Sequence, residues 1–286
     1  MRDLPEIGLG CANLLQATLP ELIETAARHD FHRITARPYA FAMAMRDGLT
    51  EDGLRCKLTA ADIEVTMIDA LTNVLPGVPS PESLDPATRA VMPPDVLYPV
   101  DEETVLRAAE VMGASIINLT HYLGMPTPTH QLAEAVAAIC RRARDRGLSV
   151  ALEFIPGTGL PDLPFTQGVV EACGEANCGI TLDVFHLDRS GGTVDDVVRL
   201  PPGAIAGVQI SDRVPPPPGT AHVPFQGRYL PGEGSLPLHD LVSAAFDNSP
   251  GATLDIEVLS AELGSLPTEE AAARLAAGAR SWLATL

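Results

Sequence analysis

The sequence predicts an α/β fold, a single (β/α)8 barrel, and three observations carry that prediction. Eight short apolar runs recur along 286 residues, helical patterns fill most of the gaps between them, and neither a GxGxxG turn nor a phosphate-binding loop follows any run. Near-continuous apolar runs mark parallel strands covered on both faces, and parallel neighbours need crossovers long enough to hold a helix. Strands alternating with helices over about 250 residues fit a closed barrel. A doubly wound open sheet is the alternative, but its nucleotide-binding form lacks its motif here. The whole chain, 1–286, is expected to form one such domain.

PEIGLGCAN opens the series and PELIETAARHD follows it as a helix. FHRITARP is the second run, and LRCKLTAAD, holding Lys57, reads as a surface helix before the third, IEVTMIDALTN. DEETVLRAAEVMG, with acids in its first turn, precedes ASIINLTHY. THQLAEAVAAICRRARDRG precedes LSVALEFIPG; it opens on Thr129 as an N-cap and closes on an arginine cluster and Gly147. CGITLDVFH, AIAGVQISD and ATLDIEVLS complete the eight, with helices expected over 166–175, 193–199, 236–246 and 268–285. Two long segments, 75–100 with seven prolines and 214–234 opening on four in a row, follow strands and would lie over the catalytic end of a barrel.

Composition narrows the function classes. A formal charge of −18 argues against a nucleic-acid partner, because phosphate binding needs a basic face. No run approaches the length of a membrane span and the start has no apolar leader, so a soluble, cytoplasmic protein is expected. The basic residues are 18 Arg and one Lys, Lys57, which removes most lysine-based mechanisms. Five scattered cysteines do not form a disulfide framework, and Cys173 and Cys178 flank a helix-to-strand turn with no second pair to complete a zinc site.

The chemistry concentrates at the ends of four runs: Glu153, Asp183, Gln209 and Glu257, at separations of 30, 26 and 48 residues. An unpaired buried carboxylate costs several kcal/mol, so acids ending buried strands repeatedly call for a reason. In a barrel these ends converge, and strand alternation puts Ala151 with Glu153, Thr181 with Asp183 and Asp255 with Glu257 on common faces. Three carboxylates and an amide oxygen at one point describe a site for one hard-to-borderline divalent ion. Any one of the four taken singly reads more readily as a salt bridge or a loop-capping acid, and it is the four together that favour the metal site. His121 and Arg37 end two further runs and, with Arg228 and Arg213, could hold a substrate carboxylate or phosphate. For Arg213 an ordinary ion pair is the simpler reading, and Glu233 and Asp255 read as structural, with Asp255 a candidate to face the barrel interior.

The segments LEFIPG, LDVFHLDRSGG, VQISD, RYLPGEGSLPL and LDIEVLS resemble the xylose-isomerase-like TIM-barrel superfamily. That group includes sugar isomerases and epimerases, hydroxypyruvate isomerase, inosose dehydratase and one type of 3-dehydroshikimate dehydratase. The resemblance is firm over 148–260 and rests on strand rhythm before that. It implies one divalent ion (Mn, Mg, Co or Zn) held by Glu153, Asp183, Gln209 and Glu257, with His186 and Arg228 as substrate contacts. It further implies that a metal-chelated hydroxy-carbonyl substrate loses a proton to Glu153 or Glu257, giving an enediolate. Reprotonation yields an isomer or epimer, and loss of a β-hydroxyl yields a dehydrated product. DNA repair by the apurinic-site endonucleases of this barrel fits poorly, since those use many His ligands and this chain has Gln209 where a His is common. Authentic xylose isomerase relies on a lysine and two metals, which the isolated Lys57 does not match.

The leading expectation is therefore a metal-dependent isomerase or epimerase of a small polyhydroxy or anionic carbonyl compound. A dehydratase (lyase) of the dehydroshikimate or inosose kind is the alternative, and a non-catalytic binding barrel the third. A homo-oligomer is compatible with the sequence.

Overall fold

The computed structural model describes residues 6–123, 125–215, 217, 219 and 227–285. Eight strands, β1 (Gly8–Leu9), β2 (Arg33–Ala36), β3 (Glu64–Leu71), β4 (Ile116–Thr120), β5 (Ser149–Glu153), β6 (Cys178–Asp183), β7 (Ile205–Ile210) and β8 (Thr253–Ile256), pair in chain order. Every pairing is parallel, and β8 closes on β1 through Gly8↔Asp255 and Leu9↔Ile256. Around the barrel run α1 (Leu19–Arg28), α2 (Pro38–Arg46), α3 (Glu51–Ala61), α4 (Pro86–Val91), α5 (Pro94–Leu97), α6 (Glu102–Met112), α7 (Thr129–Arg144) and α8 (Leu163–Cys173). They continue with α9 (Val184–Arg189), α10 (Val194–Val198), α11 (Leu238–Asn248), α12 (Ala261–Gly264) and α13 (Thr268–Leu283). The (β/α)8 expectation holds.

Local chemistry sets the boundaries. Thr18 and Glu21 form a reciprocal capping box on α1, and Asp101 and Asp162 accept first-turn N–H groups of α6 and α8. Gly113 and Gly174 end those two helices at φ +74° and +69°, a left-handed conformation that costs an L side chain about 1 kcal/mol. The Thr129 expectation fails: Thr129 is the first helical residue of α7, and Pro128 before it provides no side-chain cap. The sixth apolar run also stops short of its expected end. Asp183 turns the chain into α9 by accepting the N–H groups of Phe185 (2.8 Å) and His186 (3.2 Å). Glu257 lies one residue beyond β8, although its N–H still follows the sheet to Ile210 O (2.8 Å). Helix α2 has no counterpart among the sequence expectations; it starts at Pro38 with Arg37 still extended, the arrangement proline favours at a first helical position. The proline-rich segment 75–100 contains α4 and α5, each again begun by proline. Of 214–234, the second such segment, residues 216, 218 and 220–226 lie outside the described residues.

The barrel interior explains where chemistry can sit. Met67, Ile116 and Ala151, with Ala206, form an apolar plug inside the strands, separate from the large core between strands and helices. Side chains repeat every second residue along a strand, so the next inward layer toward the C-terminal ends is Asp69, Asn118 and Glu153. The same step takes Thr181 to Asp183, Gly207 to Gln209 and Asp255 to Glu257. Gly207 packs closely here: a Cβ would lie 2.8 Å from Met67 Cε and 2.9 Å from Thr253 Oγ1, so those side chains would have to shift. The interior thus changes from oil to polar groups within one side-chain layer, about 7 Å of strand.

Candidate active site

Four carboxylates converge above the plug: Asp69, Glu153, Asp183 and Glu257. Glu153, Asp183 and Glu257 are buried, and Asp69 is half-buried beside them. Register fixes their neighbours, since Glu153 pairs with Thr181 and Thr120, and Asp183 with Gln209. Asn118 Nδ2 donates to both Asp69 Oδ1 (2.8 Å) and Glu153 Oε2 (2.7 Å), and its own carbonyl accepts from Thr181 Oγ1 (2.8 Å). Gln209 Nε2 donates to Asp69 Oδ2 (3.2 Å) and Glu257 Oε1 (3.3 Å). With its nitrogen so engaged, the amide presents Oε1, which has no hydrogen-bond partner among the described residues.

Arg228 is the positive centre. An antiparallel bridge between Asp212 and Tyr229 (N···O 2.9 and 2.8 Å) brings its loop back over the barrel mouth. The Asp212 carboxylate ties that loop further by accepting N–H groups of Gly232 (3.1 Å) and Leu236 (2.9 Å). Arg228 Nη1 then reaches Asp183 Oδ2 (2.7 Å) and Glu257 Oε2 (3.5 Å), and the guanidinium lies 4.6 Å from the Phe185 ring centre. Nη2 lies 3.2 Å from His186 Nε2, and because a guanidinium only donates, this contact is a hydrogen bond when Nε2 carries no proton. Glu153, Asp183 and His186 offer three potential ligand atoms within 4.8 Å of one another, with His186 Nε2 3.7 Å from both Glu153 Oε1 and Asp183 Oδ2.

The charges do not balance with Arg228 alone. Burial, reinforced by Asp69 and Asp183, raises the pKa of Glu153 well above the usual carboxylate range. Burial likewise raises Glu257, against the pull of Arg228. Asp69 is pushed up to about 6, again by burial, with Asn118 opposing. Asp183 alone goes down: burial, the largest single effect, works against its charge, and Arg228 and His186 together overcome it. Several buried carboxylates held toward neutrality, together with the unpaired Gln209 Oε1, form a donor set that a divalent cation would satisfy.

The structure brings together Glu153, Asp183, Gln209, Glu257, His186 and Arg228. Arg37 joins them at the wall of the same cavity, where it pairs with Asp95 (3.3 Å) and donates to Leu15 O (2.9 Å). His121 does not join them. Its Nε2 bonds Pro76 O (2.7 Å) and its Nδ1 accepts from Gly159 N (3.1 Å), so the ring fastens two loops together. Arg213 pairs with Asp188 and Lys57 with Glu24, both outside the cavity. Asp255 faces the interior below Glu257, buried, with Oδ1 lacking a partner among the described residues. Sequence reading missed Asp69 and Asn118, although the alternation Met67–Asp69 and Ile116–Asn118 carried the signal. It also missed Asp95, in the single-turn helix α5, and Tyr122, just past β4, both of which line the cavity from segments too short to show a periodicity.

Residues 103–286 match the family described as xylose isomerase-like TIM barrel. The chain belongs to that family. It is 25% identical over 170 residues to inosose isomerase of Halalkalibacterium halodurans, a match covering 55% of this chain and 60% of that protein. Among solved structures, the IolI protein with a bound zinc atom superposes with a TM-score of 0.80 at 16% identity, covering 98% of this chain and 99% of that one. The probable 3-DHS dehydratase AsbF from Bacillus anthracis gives 0.68 at 16% identity over 96% and 98% of the two chains. D-psicose 3-epimerase gives 0.67 at 15% identity over 98% of each. Likeness at this identity speaks to the fold, and the fold is the closed barrel described above. Among the described residues, no helix is long and apolar enough to cross a membrane.

Proposed function

We propose that this chain is an isomerase or epimerase of small polyhydroxy carbonyl compounds, working by proton transfer at the carbon beside the carbonyl. The observation that carries this reading is the pair Glu153 and Glu257. They come from strands three apart around the barrel, open on one cavity, and burial raises both above the ordinary carboxylate range, the direction that suits a group exchanging protons. Glu153, Asp183, Gln209 and Glu257 would hold one divalent ion, with His186 at its edge. When bound, such an ion polarises a carbonyl and acidifies the adjacent C–H.

The chain's own groups account for the remaining work. One of the two glutamates takes the proton and the other returns one. Arg228 offers fixed N–H donors where negative charge develops on a substrate oxygen, and burial makes such donors more effective than they are in water. Asn118, held by Asp69 and Thr181, fixes the Glu153 carboxylate, so little reorganisation accompanies proton transfer. Leu15, Pro93, Val96 and Leu259 line the same cavity and limit access of water.

Dehydration is the second reading, favoured by one feature: Arg37 and Arg228 both line the cavity and suit an anionic substrate. Both readings share the first proton abstraction. A survey of ketoses, inososes and 3-dehydroshikimate, incubated with the metal-loaded protein, separates them. A recovered isomer supports the isomerase reading. An ultraviolet-absorbing enone or aromatic product supports the lyase instead, and no turnover of any of these classes would sink both.

A further inference from the structure

Three of the five cysteines meet at the other end of β6 from Asp183. Cys140 lies near the end of α7, Cys173 is the last residue of α8, and Cys178 is the first residue of β6. In the fold their sulfur atoms lie within 4.8 Å of one another. Cys140 is buried, whereas Cys173 and Cys178 are partly exposed, so the cluster has an open side. The other two are elsewhere: Cys11 contacts the Asp69 carbonyl beside the active site, and Cys56 is exposed on α3.

The surroundings hold this cluster in place and favour thiolate at Cys173, while proton sharing within the cluster raises Cys140 and Cys178. Asn177 Nδ2 donates to the carbonyls of Cys140 (2.8 Å) and Leu148 (2.9 Å), pinning the turn before Cys178 against α7. The neighbouring Cys140 and Cys178 thiols, the Glu175 backbone and the Arg141 charge draw the Cys173 pKa below the ordinary thiol range. Arg141 (3.0 Å) and Arg144 grip the Glu175 carboxylate between them, and the Arg141 charge acts on Cys173.

We infer that Cys140, Cys173 and Cys178 form a three-thiolate site for a borderline-soft divalent ion of the zinc class, with solvent at the fourth position. Thiolates select such ions over the hard cations that carboxylates prefer. Tetrahedral ligation at about 2.3 Å sets sulfurs about 3.8 Å apart, a spacing the cluster reaches by small side-chain rotations. A disulfide would join two sulfurs and leave out the third, whereas all three here share one centre. Three thiolates around a divalent ion leave one net negative charge, which Arg141 and Arg144 on either side of Glu175 offset. The site is separate from the active site: Cys178 opens the strand that Asp183 closes, roughly 16 Å away along β6. An ion there would tie the ends of α7 and α8 to the strand that carries Asp183.

The test is a titration of the full-length, reduced, chelator-treated protein with Cd²⁺, read by the ultraviolet thiolate-to-cadmium charge-transfer band. Oxygen ligands at the active site do not give this band. The expected result is saturation at one cadmium per chain, unchanged in Glu153→Gln/Glu257→Gln and in Cys56→Ser. The band should vanish in Cys140→Ser and in Cys178→Ala. The second variant, at a partly exposed position, is read in parallel so that the test still discriminates if the buried Cys140→Ser fails to fold. No band in the folded wild type, or a band that survives in Cys178→Ala, overturns the inference.

Discussion

Gln209 shows how much a single side-chain orientation has to accomplish. Its nitrogen is claimed by Asp69 and Glu257, and its oxygen is left buried with no hydrogen-bond partner among the described residues. Asp69 therefore governs two ligand candidates, Gln209 directly and Glu153 through Asn118. Asp69→Ala is expected to weaken divalent-ion binding about 10–100-fold, the usual cost of losing a group that orients ligands. Calorimetric metal titration checks this, with the folded state verified by circular dichroism. His121 teaches the opposite lesson. A histidine at a strand end has the address of a site residue, yet Gly159 stands against its ring and both nitrogens go to backbone. A Cβ at position 159 would lie 2.2 Å from His121 Cε1. Gly159→Ala should accordingly destabilise the fold by about 1–3 kcal/mol through overpacking, measured by urea denaturation.

At the scale of elements, the proline-rich segment 75–100 is the instructive case. Its prolines start two short helices, and α5 places Asp95 against Arg37, 58 residues earlier in the chain. Asp95 also accepts the Tyr39 N–H (3.1 Å), so one carboxylate anchors both the segment and the start of α2. Asp95→Ala leaves Arg37 buried without its partner, a change expected to cost about 3–5 kcal/mol. Thermal denaturation measures the loss, and hydrogen exchange should show faster opening of 81–98 than of β5 and β6. Strand rhythm and the four strand-end residues were readable because each is a pattern of neighbours in sequence, whereas the one helix cap read that way, Thr129, was misplaced. Asp95 and the two loops that His121 joins were not, because each is defined by a contact across the fold. The end of β6 lay between these cases: Asp183 looked like a strand residue, and only its carboxylate turning back onto Phe185 and His186 made it a helix cap.

For the molecule as a whole, closure of the barrel concentrates acid in its centre, and stability should record this. Asp255, buried below Glu257, has its pKa raised to about 7 by burial. The unfolded chain titrates this group near 3.9, so between these values the native state holds a proton that the unfolded state has released. The native form is then favoured fully below about pH 4, and that advantage is lost as pH rises through about 7, amounting to roughly 4 kcal/mol at most. Asp255→Asn copies the protonated state and should gain stability over wild type above pH 7 and little below pH 4, measured by denaturant unfolding in chelator. Glu153, Glu257 and Asp69 slope the same way, so the difference between variant and wild type isolates Asp255.

The central claim is that Glu153 and Glu257 move a proton at a carbon next to a carbonyl. Its most direct test is solvent deuterium uptake at that carbon, followed by NMR with a substrate found in the turnover survey. The account predicts uptake by wild type, falling by about 100-fold or more in Glu153→Gln or Glu257→Gln while the fold is retained. Turnover without deuterium at that carbon, or uptake undiminished in both variants, would contradict it.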